Sequence, residues 1–199
     1  MEVNLVKVFI VYTHPSEDSF TYHVKEIFIE SILAAGHTYE ISDLFKMKFH
    51  TDLSEEEYYR ESNYLNDLPL CEDVMKEQDK INNCDIIVFI YPVFWTEAPA
   101  KLVGWFDRVW TYGFSYGERT MKKLSKAIFI AITGHSINHL KEYGHMQSMK
   151  TVMLGDRIFD RAINKEMLIL DNMTKYNADA RSNNWNKHLQ TVYELGRNL

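Results

Sequence analysis

Three short segments of the chain combine side chains that can hold a ligand. In His14-Pro15-Ser16-Glu17-Asp18-Ser19-Phe20-Thr21, an imidazole and several hydroxyls lead into a helix. The segment has neither the GxGxxG of a dinucleotide fold nor the GxxxxGK[ST] of a phosphate-binding NTPase loop, so nucleotide hydrolysis loses its main support. The unpaired N–H groups of the helix start, with Ser19, Thr21 and His14 beside them, can hold a phosphate monoester without any lysine. Taken alone, Ser19 is an N-cap and His14 a surface loop residue. The second segment, Tyr91-Pro92-Val93-Phe94-Trp95-Thr96-Glu97-Ala98-Pro99, sets two adjacent aromatics between two prolines. Prolines stiffen a loop, which can then present N–H groups to a planar heterocycle while the aromatics cover it. Its plainer alternative is packing onto the following helix. The third, Thr133-Gly134-His135-Ser136, offers a hydroxyl, a flexible backbone and an imidazole.

The elements between these segments say where they lie. Lys7–Tyr12 is a β-branched apolar run ending at the turn-forming Thr13-His14-Pro15-Ser16, and reads as a first strand. A helix is predicted from about Phe20 to Ala35, capped by Ser19 or Asp18 and stopped by Gly36. His37–Ile41 reads as a second strand, and Asp43 to about Leu70 as a long irregular excursion with a capped short helix at Asp52–Tyr59. A helix at Glu72–Asn82 precedes a third strand at Asp85–Tyr91. The helix from Pro99 to Val109 carries Leu102, Trp105, Phe106 and Val109 on one face. Ala127–Ile132 is a fourth strand, followed by a helix around Met146 to Arg161, a fifth strand at Glu166–Leu170 and a last helix around Asn184 to Leu195. Strands and helices alternate and each strand reads as a continuous apolar run, so the expectation is a doubly wound α/β domain with a parallel sheet covered on both faces. In such sheets ligands bind beyond the carboxyl ends of the strands. The three segments sit there, after strands one, three and four, and divide a ligand's needs into phosphate, ring plane and ring edge. A flavin mononucleotide answers to all three.

Composition narrows the alternatives. The chain has 199 residues, 46% hydrophobic and 14% aromatic, which suits a single domain with aromatic surface to spare. Much of that surplus falls between Tyr91 and Tyr116. The net charge of -6 disfavours a nucleic-acid partner. Cys71 and Cys84 lack the spacing of a zinc site and cannot build a disulfide framework, so no metal and a reducing, cytoplasmic compartment are expected. Met1-Glu2-Val3-Asn4 runs into a strand with no basic region or cleavage site, so no signal peptide is expected, and no apolar run approaches membrane-spanning length.

Further residues carry a resemblance. Tyr91-Pro92-Val93-Phe94-Trp95, then Ala98-Pro99-Ala100-Lys101-Leu102-Val103-Gly104-Trp105-Phe106-Asp107-Arg108-Val109, then Thr111-Tyr112-Gly113-Phe114-Ser115-Tyr116-Gly117, follow in order. They resemble the P-x-x-W, P-A-x-L-K-G-W-F-[DE]-R-V and G-F-[AS]-Y-G motifs of the flavodoxin-like NAD(P)H:quinone oxidoreductases, including the small bacterial general-stress and potassium-efflux-ancillary members. His14-Pro15 with Ser19-Phe20, and Ser42-Asp43-Leu44-Phe45, resemble further signatures of that family.

The resemblance implies a flavodoxin-like five-stranded parallel sheet of order 2-1-3-4-5 in one domain. It makes His14, Ser19, Phe20 and Thr21 the phosphate and ribityl loop, with Thr21 where relatives often have Asn. Pro92, Val93, Phe94, Trp95 and Thr96 line the isoalloxazine, and Thr133, Gly134 and His135 hold its pyrimidine edge, where relatives show Thr-Thr-Gly-Gly. His145 matches the family's proton-relay histidine. The tyrosine of several relatives falls near His139 or Leu140, leaving Tyr143 as its substitute. The implied activity is ping-pong hydride transfer from NADH or NADPH through FMN, or FAD, to a quinone-type acceptor. The implied assembly is a homodimer, with Trp110, Tyr112 and Tyr116 assigned to the interface or the opposite site and Trp105 and Phe106 to the core. A flavodoxin-like electron carrier and a regulatory flavoprotein subunit of a transporter or stress system are the competing expectations.

Overall fold

The computed structural model describes residues 5–199, so the expectation drawn from Met1–Asn4 lies outside the described residues. Strands β1 (Lys7–Tyr12), β2 (Thr38–Asp43), β3 (Ile86–Pro92), β4 (Leu124–Ile132) and β5 (Ala162–Leu170) form one sheet in the order β2-β1-β3-β4-β5. Every pairing is parallel, with Ile10 opposite both Ile41 and Val88, and Val88 opposite Ile128. The fold is the flavodoxin-like doubly wound sheet that the sequence implies.

Successive side chains of a strand point to opposite faces, and the central strands supply both cores in this way. Phe9, Val11, Phe89 and Phe129 face a cluster completed by Ile81 from α3 (Glu72–Asn82) and Leu102, Trp105 and Phe106 from α4 (Ala100–Val109). Val8, Ile10, Val88 and Ile130 face Val24, Phe28 and Ile32 of α1 (Phe20–Ala34) and Val192 of α7 (Ala178–Arg197). Helix α1 closes with Gly36 at φ +87°, where His37 N–H bonds Ile32 O at 3.0 Å and Gly36 N–H bonds Leu33 O at 2.9 Å. That double bond is the Schellman ending that a glycine at this position permits.

The edges depart from the expected pattern. β2, Thr-Tyr-Glu-Ile-Ser-Asp, is largely solvent-facing, and β5 begins at Ala162 with Ile163, Asn164 and Lys165 exposed. Only the central strands are continuous apolar runs. An edge strand has one open side, and charges there discourage pairing with another chain. Lys7–Glu40 and Lys126–Glu166 ion pairs lie along these edges at 3.1 and 2.8 Å.

The helix expected over Met146–Arg161 is present as α6 (His145–Lys150) running on into a π-helical segment at Thr151–Ile158, and it is preceded by a short helix the sequence reading did not expect, α5 (Ile137–Glu142). Ser136 accepts the His139 N–H at 3.2 Å and so starts α5, and Gly144 at φ +72° breaks the chain before α6. Helix α7 starts at Ala178, ahead of the expected Asn184, because Asn177 Oδ1 caps the Ala180 N–H at 3.2 Å.

The excursion at Asp43–Leu70 is firmly attached. Its helix α2 (Glu55–Ser62) opens on a capping box between Ser54 and Glu57, with bonds of 2.8 and 3.2 Å. Arg108 of α4 donates to Glu57 at 2.7 Å, Asp73 at 3.0 Å and the His50 carbonyl at 2.9 Å. Gly104 lets the two backbones meet, since a Cβ there would stand 2.4 Å from the Thr51 carbonyl oxygen.

Candidate active site

The loop after β1 begins with Thr13, whose hydroxyl is buried and has no partner. His14 Nδ1 accepts the Ser16 N–H at 3.0 Å, and burial holds this imidazole below its ordinary value, so it is neutral near pH 7. Ser19 is the N-cap of α1, accepting the Tyr22 N–H at 3.0 Å. The Phe20 and Thr21 amides, in the first turn, have no intrahelical acceptor to reach. Phe20 is fixed by an edge-on contact with Trp185 at 4.6 Å.

After β3, Val93 N–H extends the ladder to Ile132 O at 2.8 Å. Phe94 and Glu97 then exchange both backbone bonds, at 2.8 and 2.9 Å, across Trp95 at φ +52° and Thr96 at φ +68°. Two consecutive left-handed residues define a type I′ turn, which ordinarily takes Asn-Gly. Holding a tryptophan and a threonine there stores backbone strain and throws the Trp95 ring wholly into solvent.

After β4, Thr133 is buried with its hydroxyl donating to His135 O at 3.0 Å, and its N–H bonds Leu170 O at 2.9 Å. His135 stacks flat on His139, centroids 4.1 Å apart and planes within 14°. His139 continues the column to Tyr143 at 4.6 Å, and His145 stands 6.1 Å from His139 and 6.0 Å from Tyr143.

A cleft of about 530 Å³ lies where these loops meet. His14, Ser19, Phe20, Thr21, Pro92, Val93, Phe94, Thr133 and Gly134 all border it. Trp95, Thr96, His135, Tyr143 and His145 do not: Trp95 borders a separate hollow with Asp52, Pro99 and Asp107, and the others belong to the turn and the ring column. Sequence reasoning missed Met173, Thr174, Lys175 and Arg181, which close the cleft from the loop after β5 and the first turns of α7. That loop also leaves a carboxyl end of the sheet, which was the available signal. Lys175 and Arg181 bring positive charge to the border of the cleft that also holds Ser19, Phe20 and Thr21. Arg181 Nε is buried without a partner, and its guanidinium lies 4.5 Å over the Trp185 ring.

Of the aromatics assigned to an interface, Trp110 is the one whose burial departs from that expectation. Trp110 is buried in this chain's own core and donates its indole N–H to Arg157 O at 2.6 Å. Trp105 and Phe106 are core residues, as expected. Tyr116 donates to Glu61 at 2.8 Å and packs on Tyr112 at 5.6 Å, so both are tied to the excursion. Cys71 and Cys84 are free thiols; burial pushes Cys84 up to about 12. Among the described residues no helix is long and apolar enough to cross a membrane.

The arrangement suits a ligand with an anionic end and a flat ring. At one end of the cleft lie Lys175, Arg181, Ser19 and Thr21, beside the two free amides of the α1 first turn, a setting that favours an anion. Val93, Phe94, Ile132 and Met173 give the cleft an apolar lining, and Thr133 and Gly134 also border it.

Known proteins with related chains fall in the same group. The profile of the Flavodoxin_2 family, a flavodoxin-like fold, matches residues 6–159. The solved structure of the NAD(P)H:quinone oxidoreductase from Methanothermobacter marburgensis superposes with a TM-score of 0.91 at 42% identity, over 98% of this chain and 96% of that one. The Cavia porcellus NAD(P)H dehydrogenase [quinone] 1 is 31% identical over 156 residues, covering 66% of this chain and 54% of that protein. An NAD(P)H oxidoreductase of Haemophilus influenzae is 31% identical over 152 residues, 73% of each. The chain spans about half the length of the first curated relatives it matches.

Proposed function

On the premise that this chain belongs to the Flavodoxin_2 family of flavodoxin-like fold, we propose that it is a flavin-dependent oxidoreductase moving hydride from NADH or NADPH to a quinone-type acceptor. One observation carries the reading: a single cleft at the carboxyl ends of the strands joins an anion-binding pole to an apolar slot with a polar edge. The similarity to the Methanothermobacter quinone oxidoreductase, extending over nearly the whole of both chains, supports it. FMN is the proposed cofactor, and when bound it supplies the hydride acceptor and donor that no side chain can provide.

The protein's own groups do the rest. Ser19, Thr21, His14 and the Phe20 and Thr21 amides hold the phosphate, with Lys175 and Arg181 neutralising its charge. A neutral His14 serves as a hydrogen-bonding group there. Pro92, Val93 and Phe94 keep water from one part of the ring plane, and Thr133 and Gly134 bond its polar edge. Donor and acceptor occupy the same place in turn, beside the ring column, where His145 with Tyr143 holds the proton and stabilises the charge developing on an acceptor oxygen. The solvent-facing Trp95 is assigned to a homodimer contact or to the site of the second subunit, because a fully exposed indole on a strained turn is costly unless something covers it. The free thiols accord with a cytoplasmic setting.

The test is to purify the protein, release and identify its bound cofactor by mass spectrometry, and follow NADH and NADPH oxidation with a benzoquinone. Flavin with quinone-dependent turnover is expected. Protein that stays colourless after FMN is added, and oxidises neither donor, overturns the reading.

A further inference from the structure

Asp171, immediately after β5, makes a set of contacts that the proposed chemistry does not use. Its Oδ2 accepts the Ile137 N–H at 2.9 Å and the Asn172 side-chain amide at 3.0 Å. Its backbone carbonyl is bonded to His188 Nε2 of α7 at 2.9 Å. Asn172, at φ +57°, turns its N–H onto His135 O at 3.2 Å, and Met173 N–H follows onto Thr133 O at 2.9 Å. The loops after β4 and β5 are thereby laced together, with the Asp171 carboxylate at the knot.

What this knot holds is α5. A helix of six residues is too short to persist alone, so its placement comes from outside. Its Ser136 cap satisfies His139 N–H, while Ile137 N–H, the first amide of the helix, goes to Asp171. A carboxylate at that end also meets the favourable side of the helix dipole. Helix α5 carries His139, the ring that touches both His135 and Tyr143, and runs through its C-cap Tyr143 to His145.

We propose that Asp171 is a positioning residue: by accepting the Ile137 N–H it sets α5, and with it the His135–His139–Tyr143 column and the approach of His145. The inference rests on the reading of Tyr143 and His145 as the groups beside the acceptor, but its structural half is tested without turnover. Two rings stacked 4.1 Å apart shift each other's proton resonances, so the imidazole C2–H signals of His135 and His139 report the column directly.

Asp171→Ala and Ile137→Pro remove the same bond from opposite ends. Proline suits the first helical position, and Ser136 at ψ 155° suits the residue before it. Asp171→Asn keeps an acceptor oxygen, and Ile137→Ala keeps the N–H while losing the side chain. Expected are loss of the stacking shift in Asp171→Ala and Ile137→Pro, its retention in Asp171→Asn and Ile137→Ala, and a fall in kcat of about 10²-fold for the first pair with KM for the nicotinamide donor little changed. If Asp171→Ala does not fold, Ile137→Pro decides. Native imidazole shifts in Ile137→Pro, or equal loss in Asp171→Asn and Asp171→Ala, overturn the proposal. Native kcat with a lost stacking shift would instead overturn the assignment of Tyr143 and His145.

Discussion

Replacing Arg108 by alanine tests the attachment of the Asp43–Leu70 excursion to the sheet. The guanidinium is almost wholly buried and donates to Glu57 through Nε and Nη2 at 2.8 and 2.7 Å, to Asp73 at 3.0 Å and to the His50 carbonyl at 2.9 Å. The Glu57 side chain is 12% exposed and Asp73 is 37% exposed, so the two partners count differently. Removing the arginine leaves the nearly buried Glu57 carboxylate with its Ser54 N–H bond but no cation, at up to about 3–5 kcal/mol, and Asp73, able to reach water, adds under about 1 kcal/mol. For a chain of this size that is a fall in Tm of roughly 10 °C. Arg108→Lys keeps the charge but not the fork and should lie between. The ion pairs hold the Glu57 and Asp73 carboxyls below their ordinary range. Carboxylates depressed in the folded state contribute stability above their unfolded values, and that contribution disappears as pH falls through the lower folded values. The gap between wild type and Arg108→Ala should therefore be full at pH 7 and shrink below about pH 4. Urea and thermal unfolding across this range measure it. A destabilisation below about 1 kcal/mol at pH 7, or one that does not change on acidification, would refute the reasoning.

The other predictions address the cleft. Arg181→Ala should weaken flavin binding by about 10- to 100-fold, the worth of a charge-assisted hydrogen bond, and lessen its salt dependence; fluorescence titration measures both, and an unchanged Kd contradicts the assignment. Thr96→Gly should stabilise the protein by about 1 kcal/mol in urea unfolding, because glycine takes the left-handed conformation freely, and a loss of stability would show the turn to be unstrained. Ser19→Ala should cost about 1 kcal/mol as a lost N-cap and weaken flavin binding as well; a stability change alone would make Ser19 only a cap.

How much of this was legible depends on where a residue lies. Lys7–Tyr12, Ile86–Pro92 and the apolar part of Leu124–Ile132 announce themselves because a strand covered on both faces needs an apolar residue at every position. β2 and β5 blur because an edge strand is free to carry Glu40 or Lys165. Helix α5 escaped because six residues, Ile137–Glu142, are too few for an apolar periodicity to show, and Gly144 separates them from the expected helix that follows. In the site, the loops after β1, β3 and β4 were found by their position at the carboxyl ends of the sheet; His14, Ser19, Phe20, Thr21, Pro92, Val93, Phe94, Thr133 and Gly134 share one cleft, while Trp95, Thr96 and His135 stay outside it. Lys175 and Arg181 escaped because the packing of the loop after β5 and of α7, not any local spacing, brings them to the cleft. The resemblance located His145 and Tyr143 by position. That His135, His139 and Tyr143 form a ring column follows from their i, i+4, i+8 spacing along α5 and its flanks, a spacing that went unread because no helix was expected there.

The proposed function requires one cleft to receive hydride from a reduced nicotinamide and to deliver it to a quinone. Anaerobic rapid mixing separates the two halves: purified flavin-loaded protein is mixed with NADH or NADPH, and then with a benzoquinone. The flavin absorbance is expected to bleach in the first mixing and to return in the second, each fast enough to sustain steady-state turnover. Flavin that neither nicotinamide bleaches, or that the quinone does not reoxidise, would contradict that function.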